Sequence, residues 1–405
     1  TDGSSRFHPS DRWGHFGSVG ASWRISEEQF MENTRQWLDN LTLKVSYGVQ
    51  GNDNLGTYYA WQGLYDYTWP NATDAGAFVD KLENRKVTWE KNGNLNAGIE
   101  ATMFGGRLGV SVEYYNRKTR DMLLNSPLPI STGFTGFNDN VGSLRNQGLE
   151  VSLRGTILDK RDFRWDATLM GSFNRNKVLS LTGGQDVITS GIRVIEVGRP
   201  IYTFYLPKTA GVDPATGKQL YYAYWTQTVN DEGTLVNTRC DEYITDNVAM
   251  ATLSKYYHES REPKLFGSIG STFTILKNID VSFLTTYSIG GWVYDGLYNG
   301  SMYVQYAGNN WHKNAKRRWQ KPGDKTDVPM LEVGGSYATT SNSLIDASYF
   351  AIKNITVGYT LPKRWLKKID IESLRIYATL DNIAMFNHMD GMDPQYNFTG
   401  SVAYS

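Results

Sequence analysis

A serine nucleophile must stand on a tight turn beside a base. Ser4, Ser5 and the stretch "TTSNSLIDASYF" (339–350) carry no G-x-S-x-G turn. A zinc centre needs clustered Cys and His. One cysteine, Cys240, and five scattered His supply no such set, and no internal disulfide can form. We therefore expect no catalytic centre, no cofactor, no metal site and no enzyme. "DGMDP" (390–394) offers two carboxylates but lacks the full oxygen set of a calcium loop. It reads as a turn built by Gly391 and Pro394. "HKNAKRRW" (312–319) reads as a solvated basic loop beside neighbouring acids. What remains is binding chemistry. Sugars stack their C–H faces on exposed rings and hydrogen-bond through edge hydroxyls. "KQLYYAYWTQT" (218–228) offers Tyr221, Tyr222, Tyr224 and Trp225, and "NNWHKNAKRRWQ" (309–320) offers Trp311 and Trp319. These six are the candidate ligand-binding rings. The competing reading is that they pack the loops against one another or against a partner.

The elements that must carry these loops are strands. In "NLTLKVSYGVQGND", Leu41, Leu43, Val45, Tyr47 and Val49 alternate with Thr42, Lys44, Ser46, Gly48 and Gln50. That is a period-2 strand with one apolar and one polar face. The same alternation recurs around Val19, Ile99, Val112, Val151, Leu169, Ile269, Val281, Val357 and Ala378, which predicts ten strands of roughly 9–13 residues. Such lengths suit tilted membrane strands; ordinary strands centre on roughly 5–6 residues. Links at 104–107, 158–162 and 276–278 are short. Those at about 51–86, 122–146, 178–262, 294–347 and 387–400 are long, and the two kinds alternate. The fold class expected is all-β: a partial transmembrane antiparallel β-barrel with short periplasmic turns and long extracellular loops. An eleventh strand is expected to begin near Gly400. Lys44, Glu100, Glu150, Arg154 and Asp280 fall on the polar face and are expected to line a wet lumen.

Composition is consistent with this. Lys+Arg and Asp+Glu are both 41, so the chain lacks the basic excess of a general nucleic-acid binder. No stretch approaches the ~20 apolar residues of a spanning helix. A length of 405 residues exceeds the roughly 250–300 at which single cores stop growing, a limit that a barrel avoids. A soluble sandwich or propeller is the rival, but no repeat of about 40–50 residues is found. The opening "TDGSSRFHPSDRWGHF" has no starting Met and no apolar signal core, so the chain reads as a piece of something longer. Ten strands alone leave open edges.

Several phrases resemble the SusC/RagA class of TonB-dependent outer-membrane transporters of Bacteroidota. They include "LTLKVSYGVQGND", "VTWEKNGNLNAGIEATMFGGRLGVSVEYYNRKTRDMLL", "NVGSLRNQGLEVSL", "AGVDPATGKQLYY", "RRWQKPGDKTDVPM" and "SYFAIKNITVGYTLPKRWLKKIDIESLRIYATLDNI". They run in the family's order across most of the chain. The resemblance implies the C-terminal part of a plugged barrel of about twenty-two strands, with the signal peptide, plug and first barrel half absent. It implies import of oligosaccharides or peptides, powered by a TonB-ExbB-ExbD complex and working under a SusD-like lipoprotein lid. The five charged wall residues would then touch the plug. A passive porin or surface glycan-binding barrel is the alternative function, and a soluble carbohydrate-binding β-protein a third.

Overall fold

The computed structural model describes residues 1–405 except 71, 73, 75, 182–185, 303–309, 332–336, 368–369, 389–392 and 396–405. Ten strands form one antiparallel sheet: β1 (Gly17–Arg24), β2 (Leu38–Asn52), β3 (Glu90–Met103), β4 (Leu108–Arg120), β5 (Ser143–Lys160), β6 (Phe163–Ser180), β7 (Leu265–Ile275), β8 (Ile279–Ile289), β9 (Tyr349–Thr360) and β10 (Arg375–Asn387). Each strand pairs with the next in sequence, so the sheet is a meander with β1 and β10 at its edges. The region expected to open an eleventh strand, and residues 390–392 of the "DGMDP" turn, lie outside the described residues.

Register aligns the apolar positions into rows. Val19 faces Tyr47, which faces Leu95; Ala21 faces Val45, then Ala97, then Tyr114, then Leu149. The polar rows run between them: Thr42 faces Glu100, then Ser111, then Ser152. One face therefore carries a broad apolar band, and among the described residues no second layer covers it. Val19 is 71 % exposed, Ile99 50 % and Phe173 50 %. A soluble sandwich would bury these side chains against a facing sheet, and a soluble monomer rarely leaves a contiguous apolar patch above a few hundred Å². Lipid is the solvent that suits this face. Rings mark its lower rim, where Trp165 stacks on Phe273 at 5.7 Å and Phe273 lies 6.1 Å from Phe283. Tyr47, Tyr114 and Phe173 stand on the same face nearer the other end. Such ring girdles belong at membrane interfaces.

The strands differ in length from the sequence expectation of roughly 9–13. β1 has 8 residues, whereas β5 and β6 have 18 each. The extra length of β5 and β6 is a polar hairpin wall, Arg145 to Gln147 paired with Lys177 to Arg175, which continues past the apolar band. Turns at the opposite end are tight. Phe104, Gly105 and Gly106 all take positive φ (60, 64 and 80°) between β3 and β4, a path that glycine follows without Cβ strain.

The long links have structure of their own. Residues 181–264 hold a sheet built from Val187–Ser190, Arg193–Glu196, Thr203–Pro207 and Lys255–Ser260, and a second from Thr209–Val212, Gln219–Val229 and Leu235–Thr245. Small cores fasten them. Phe7, Val87 and Trp89 pack at the mouth of β2 and β3. Tyr221, Ala251 and Ala338 join two links distant in sequence, and Met302, Ala315 and Val328 close a third cluster. Among the described residues no helix is long and apolar enough to cross a membrane.

Candidate binding site on the concave wall and outer loops

The polar face of the sheet lines a cavity of about 1110 Å³. Its wall comes from the outer halves of the strands. Gln50, Asn94, Asn96, Asn146 and Asn174 bring amides, and Glu113 and Glu150 bring carboxylates. Glu113 and Glu150 face each other across β4 and β5. The Tyr115 hydroxyl donates to Asn174 Oδ1 at 2.9 Å, and Arg117 Nε donates to Asn94 Oδ1 at 2.7 Å. The segment before β7 reaches in from the loops and adds Arg261 and Glu262.

Burial pushes the Glu262 carboxyl up to about 7 from an ordinary 4.5. No charged neighbour is needed for that shift; desolvation alone disfavours the anion. Because the folded value lies above the unfolded one, ionised Glu262 penalises the folded loop above about pH 7. The penalty fades as pH falls towards 4.5. Loop stability is therefore expected to rise on acidification across that window. Glu262→Gln should flatten the rise. Thermal melts of the two proteins at several pH values measure it, and an equal pH dependence in both would reject the assignment.

The five charged wall positions all sit on the polar face but not together. Glu150 lines the large cavity. Lys44 Nζ and a Glu100 oxygen are 2.6 Å apart, deeper on the wall and half exposed. Arg154 lies beside Arg107 and the Arg164–Asp166 pair. Asp280 receives both Nε (3.0 Å) and Nη2 of Arg375, a two-pronged pair between β8 and β10.

The six candidate rings divide differently from the sequence expectation. Tyr221 is buried to 1 % exposure, and its hydroxyl accepts the Ala338 N–H at 3.2 Å. It is a core residue of the loops, so its ring is closed to a ligand. Tyr222 carries Lys208 Nζ at 4.3 Å from its ring centre. Tyr224 donates its hydroxyl to the Lys255 carbonyl at 2.6 Å, and its burial pushes the phenol well above its usual range. Trp225 is half-buried on the same strand. Trp319 lies on the turn at Gly217 and donates Nε1–H to the Pro214 carbonyl at 2.9 Å. Gly217 has φ +75, and a Cβ there would sit 2.5 Å from the Trp319 ring. The "VDPATGK" and "RRWQKPGDKTDVP" phrases are thus one packed unit, with Met330 N–H donating to Gly217 O at 2.8 Å. Trp311 alone of the six keeps a ring at the surface (37 % exposed), under the Arg318 guanidinium at 4.0 Å. Within the basic cluster, Arg317 reaches Asp327 at 3.0 Å and Arg318 Nε donates to the Ala315 carbonyl at 2.9 Å, so both guanidinium groups have partners inside the loop. Cys240 is a half-buried free thiol.

The most exposed rings lie elsewhere. Tyr58, Tyr59, Tyr65, Tyr67 and Trp69, in the link between β2 and β3, are 57–68 % exposed. Sequence reasoning placed their run in an outer loop without making them candidates. The amides of the cavity wall were missed too. Their signal is parity: each occupies a polar-face position in the outer half of its strand.

The comparisons agree with this architecture. Residues 1–383 match the family described as TonB dependent receptor-like, beta-barrel. TonB-dependent receptor P26 of Formosa agariphila is 29 % identical over 98 % of this chain and 40 % of its own length. TonB-dependent receptor SusC of Bacteroides thetaiotaomicron is 29 % identical over 97 % of this chain and 39 % of its own. The RagAB peptide transporter structure superposes with a TM-score of 0.81 at 29 % identity, covering 96 % of this chain and 42 % of that one. The chain thus spans about two fifths of the length of the relatives it matches. With one sheet face suited to lipid, strands in meander order and long structured loops at one end, this chain belongs to the TonB-dependent receptor β-barrel family and forms part of an outer-membrane barrel of the SusC/RagA kind.

Proposed function

We propose that the protein containing this chain imports oligosaccharides across the outer membrane, energised by a TonB complex and gated by a SusD-like lipoprotein over the barrel mouth. The carrying observation is the cavity of about 1110 Å³ on the concave wall. Amides and hydroxyls from Ser46, Gln50, Asn94, Asn96, Asn146 and Asn174 outnumber charges there. Neutral hydroxyl-rich ligands are recognised by such groups through many modest hydrogen bonds. The exposed tyrosines of 58–67 and Trp69 give stacking surfaces on the way in. Lys44, Glu100, Arg154 and Asp280 lie outside that cavity, deeper on the wall or towards its edge, and are assigned to contact with the plug.

Peptide import is the second reading. It is favoured by the RagAB likeness and by Glu113, Arg117, Glu150, Arg261 and Glu262 on the same wall. The two separate in one experiment. Cells carrying the intact protein, with and without a working TonB, are offered labelled oligosaccharide and oligopeptide pools. The proposal expects TonB-dependent depletion of oligosaccharides. Depletion of peptides alone would transfer the assignment to peptides, and uptake indifferent to TonB would make the barrel a passive pore.

A further inference from the structure

The outward face of the sheet carries a second, unassigned feature just above its apolar band. Following register from β3 to β6, Leu95, Asn116, Gln147 and Arg175 form one row. The next row outward is Gly93, Lys118, Arg145 and Lys177. Beyond it Lys91 faces Arg120. Parity puts all of these on the face of Tyr114, Leu149 and Phe173, not on the cavity side. Lys118, Arg145 and Lys177 are direct cross-strand neighbours of like charge, an arrangement that is destabilising by itself.

Little acidic charge offsets them. Lys91 has Asp121 at 3.8 Å, and Glu259 and Glu262 stand on the wall of an adjoining cavity of about 640 Å³, where Arg175, Lys177, Arg199 and Lys264 outnumber them. No ion pair is formed by Lys118, Arg120, Arg145, Arg175 or Lys177 among the described residues. The charged row does not continue onto β2, where the outward residue facing Gly93 is Val49. Its height is also defined. Lys118 is four residues past Tyr114, about 13 Å further along β4, beyond Asn116, where the outward apolar run of that strand has ended, and so towards the headgroup end.

We propose that Lys118, Arg145 and Lys177, with Arg175 and Arg120 around them, bind the phosphate groups of outer-leaflet lipid. Phosphate oxygens neutralise several cations at once, and guanidinium takes them in two-pronged fashion. The site rests on membrane embedding and is independent of which ligand the barrel imports.

The test uses the intact protein in nanodiscs of phosphatidylcholine doped with bis-phosphorylated lipid A, with bound lipid counted by native mass spectrometry. Each basic side chain near an anionic headgroup surface strengthens binding several-fold. The variant Lys118→Gln/Arg145→Gln/Lys177→Gln is therefore expected to lose lipid A retention by at least about 10-fold. Removing the like-charge row should leave folding intact, read as unchanged heat-modifiable migration on gels. Dephosphorylated lipid A should be retained no better by wild type than by the variant. Arg154→Gln, on the opposite face of β5, should retain lipid A as wild type does. Equal retention by wild type and triple variant would overturn the proposal, as would equal loss in Arg154→Gln. Displacement of lipid A by millimolar inorganic phosphate would make the site one for free phosphate. Loss of a co-purifying acidic protein with lipid A retained would assign the patch to a protein partner. Either result overturns it.

Discussion

Val45→Arg is expected to cost the barrel roughly 2–4 kcal/mol, because it places a guanidinium near the middle of the apolar band. Val45 lies between Ala21 on β1 and Ala97 on β3, both small and both on the same outward face. Nothing within reach on that face would pair with the charge, and lipid cannot solvate it. Ser46, one residue on, faces Gly20 and Asn96 and borders the large cavity. Ser46→Arg should therefore assemble far better, since the same charge meets polar groups and water. Urea titration of the intact protein refolded into vesicles gives both values. Similar losses at the two positions would contradict the assignment of the faces.

The second large effect concerns Tyr221. Its ring fills the junction of Ala251 and Ala338, and its strand pairs it with Thr209 on one side and Thr245 on the other. Truncation removes a fully buried aromatic and leaves a cavity, at a cost of roughly 3–5 kcal/mol. We expect Tyr221→Ala to loosen the sheet that spans residues 209–245 while the ten long strands keep their protection, because local units open separately from the barrel. Hydrogen exchange reads the two regions independently. Trp311→Ala, which removes a ring already at the surface, should leave exchange in the 209–245 sheet unchanged. If Tyr221→Ala leaves that sheet as protected as in the wild type, the buried role is wrong and the ring is again available for binding.

These contrasts show what the sequence reveals and what it hides. Alternation in "LTLKVSYGV" specifies a strand and the two faces of that strand, because a side-chain period of two leaves no other option once one face is apolar. The family's order of motifs, from "LTLKVSYGVQGND" to the last hairpin, anticipates the meander. Side-chain burial inside the long links is another matter. "QLYYAYW" also alternates, with Gln219, Tyr221 and Ala223 inward, but treating 178–262 as loop discards that signal. Trp319 and Gly217 are 102 positions apart, and nothing local in either phrase announces their contact. The basic patch is hidden for a related reason. Lys118, Arg145 and Lys177 look like unremarkable strand-end charges until register brings them side by side.

The most direct test of the account is a single-cysteine scan of residues 41–50, in a Cys240→Ser background, on the intact protein in native outer membrane. Each position would carry a spin label, read against a lipid-soluble and a water-soluble relaxation agent. The account predicts a strict alternation: labels at 41, 43, 45, 47 and 49 respond to the lipid-soluble agent, and labels at 42, 44, 46, 48 and 50 are shielded from it. Equal access of the water-soluble agent to both sets would contradict it, leaving a sheet with water on both faces and no membrane wall.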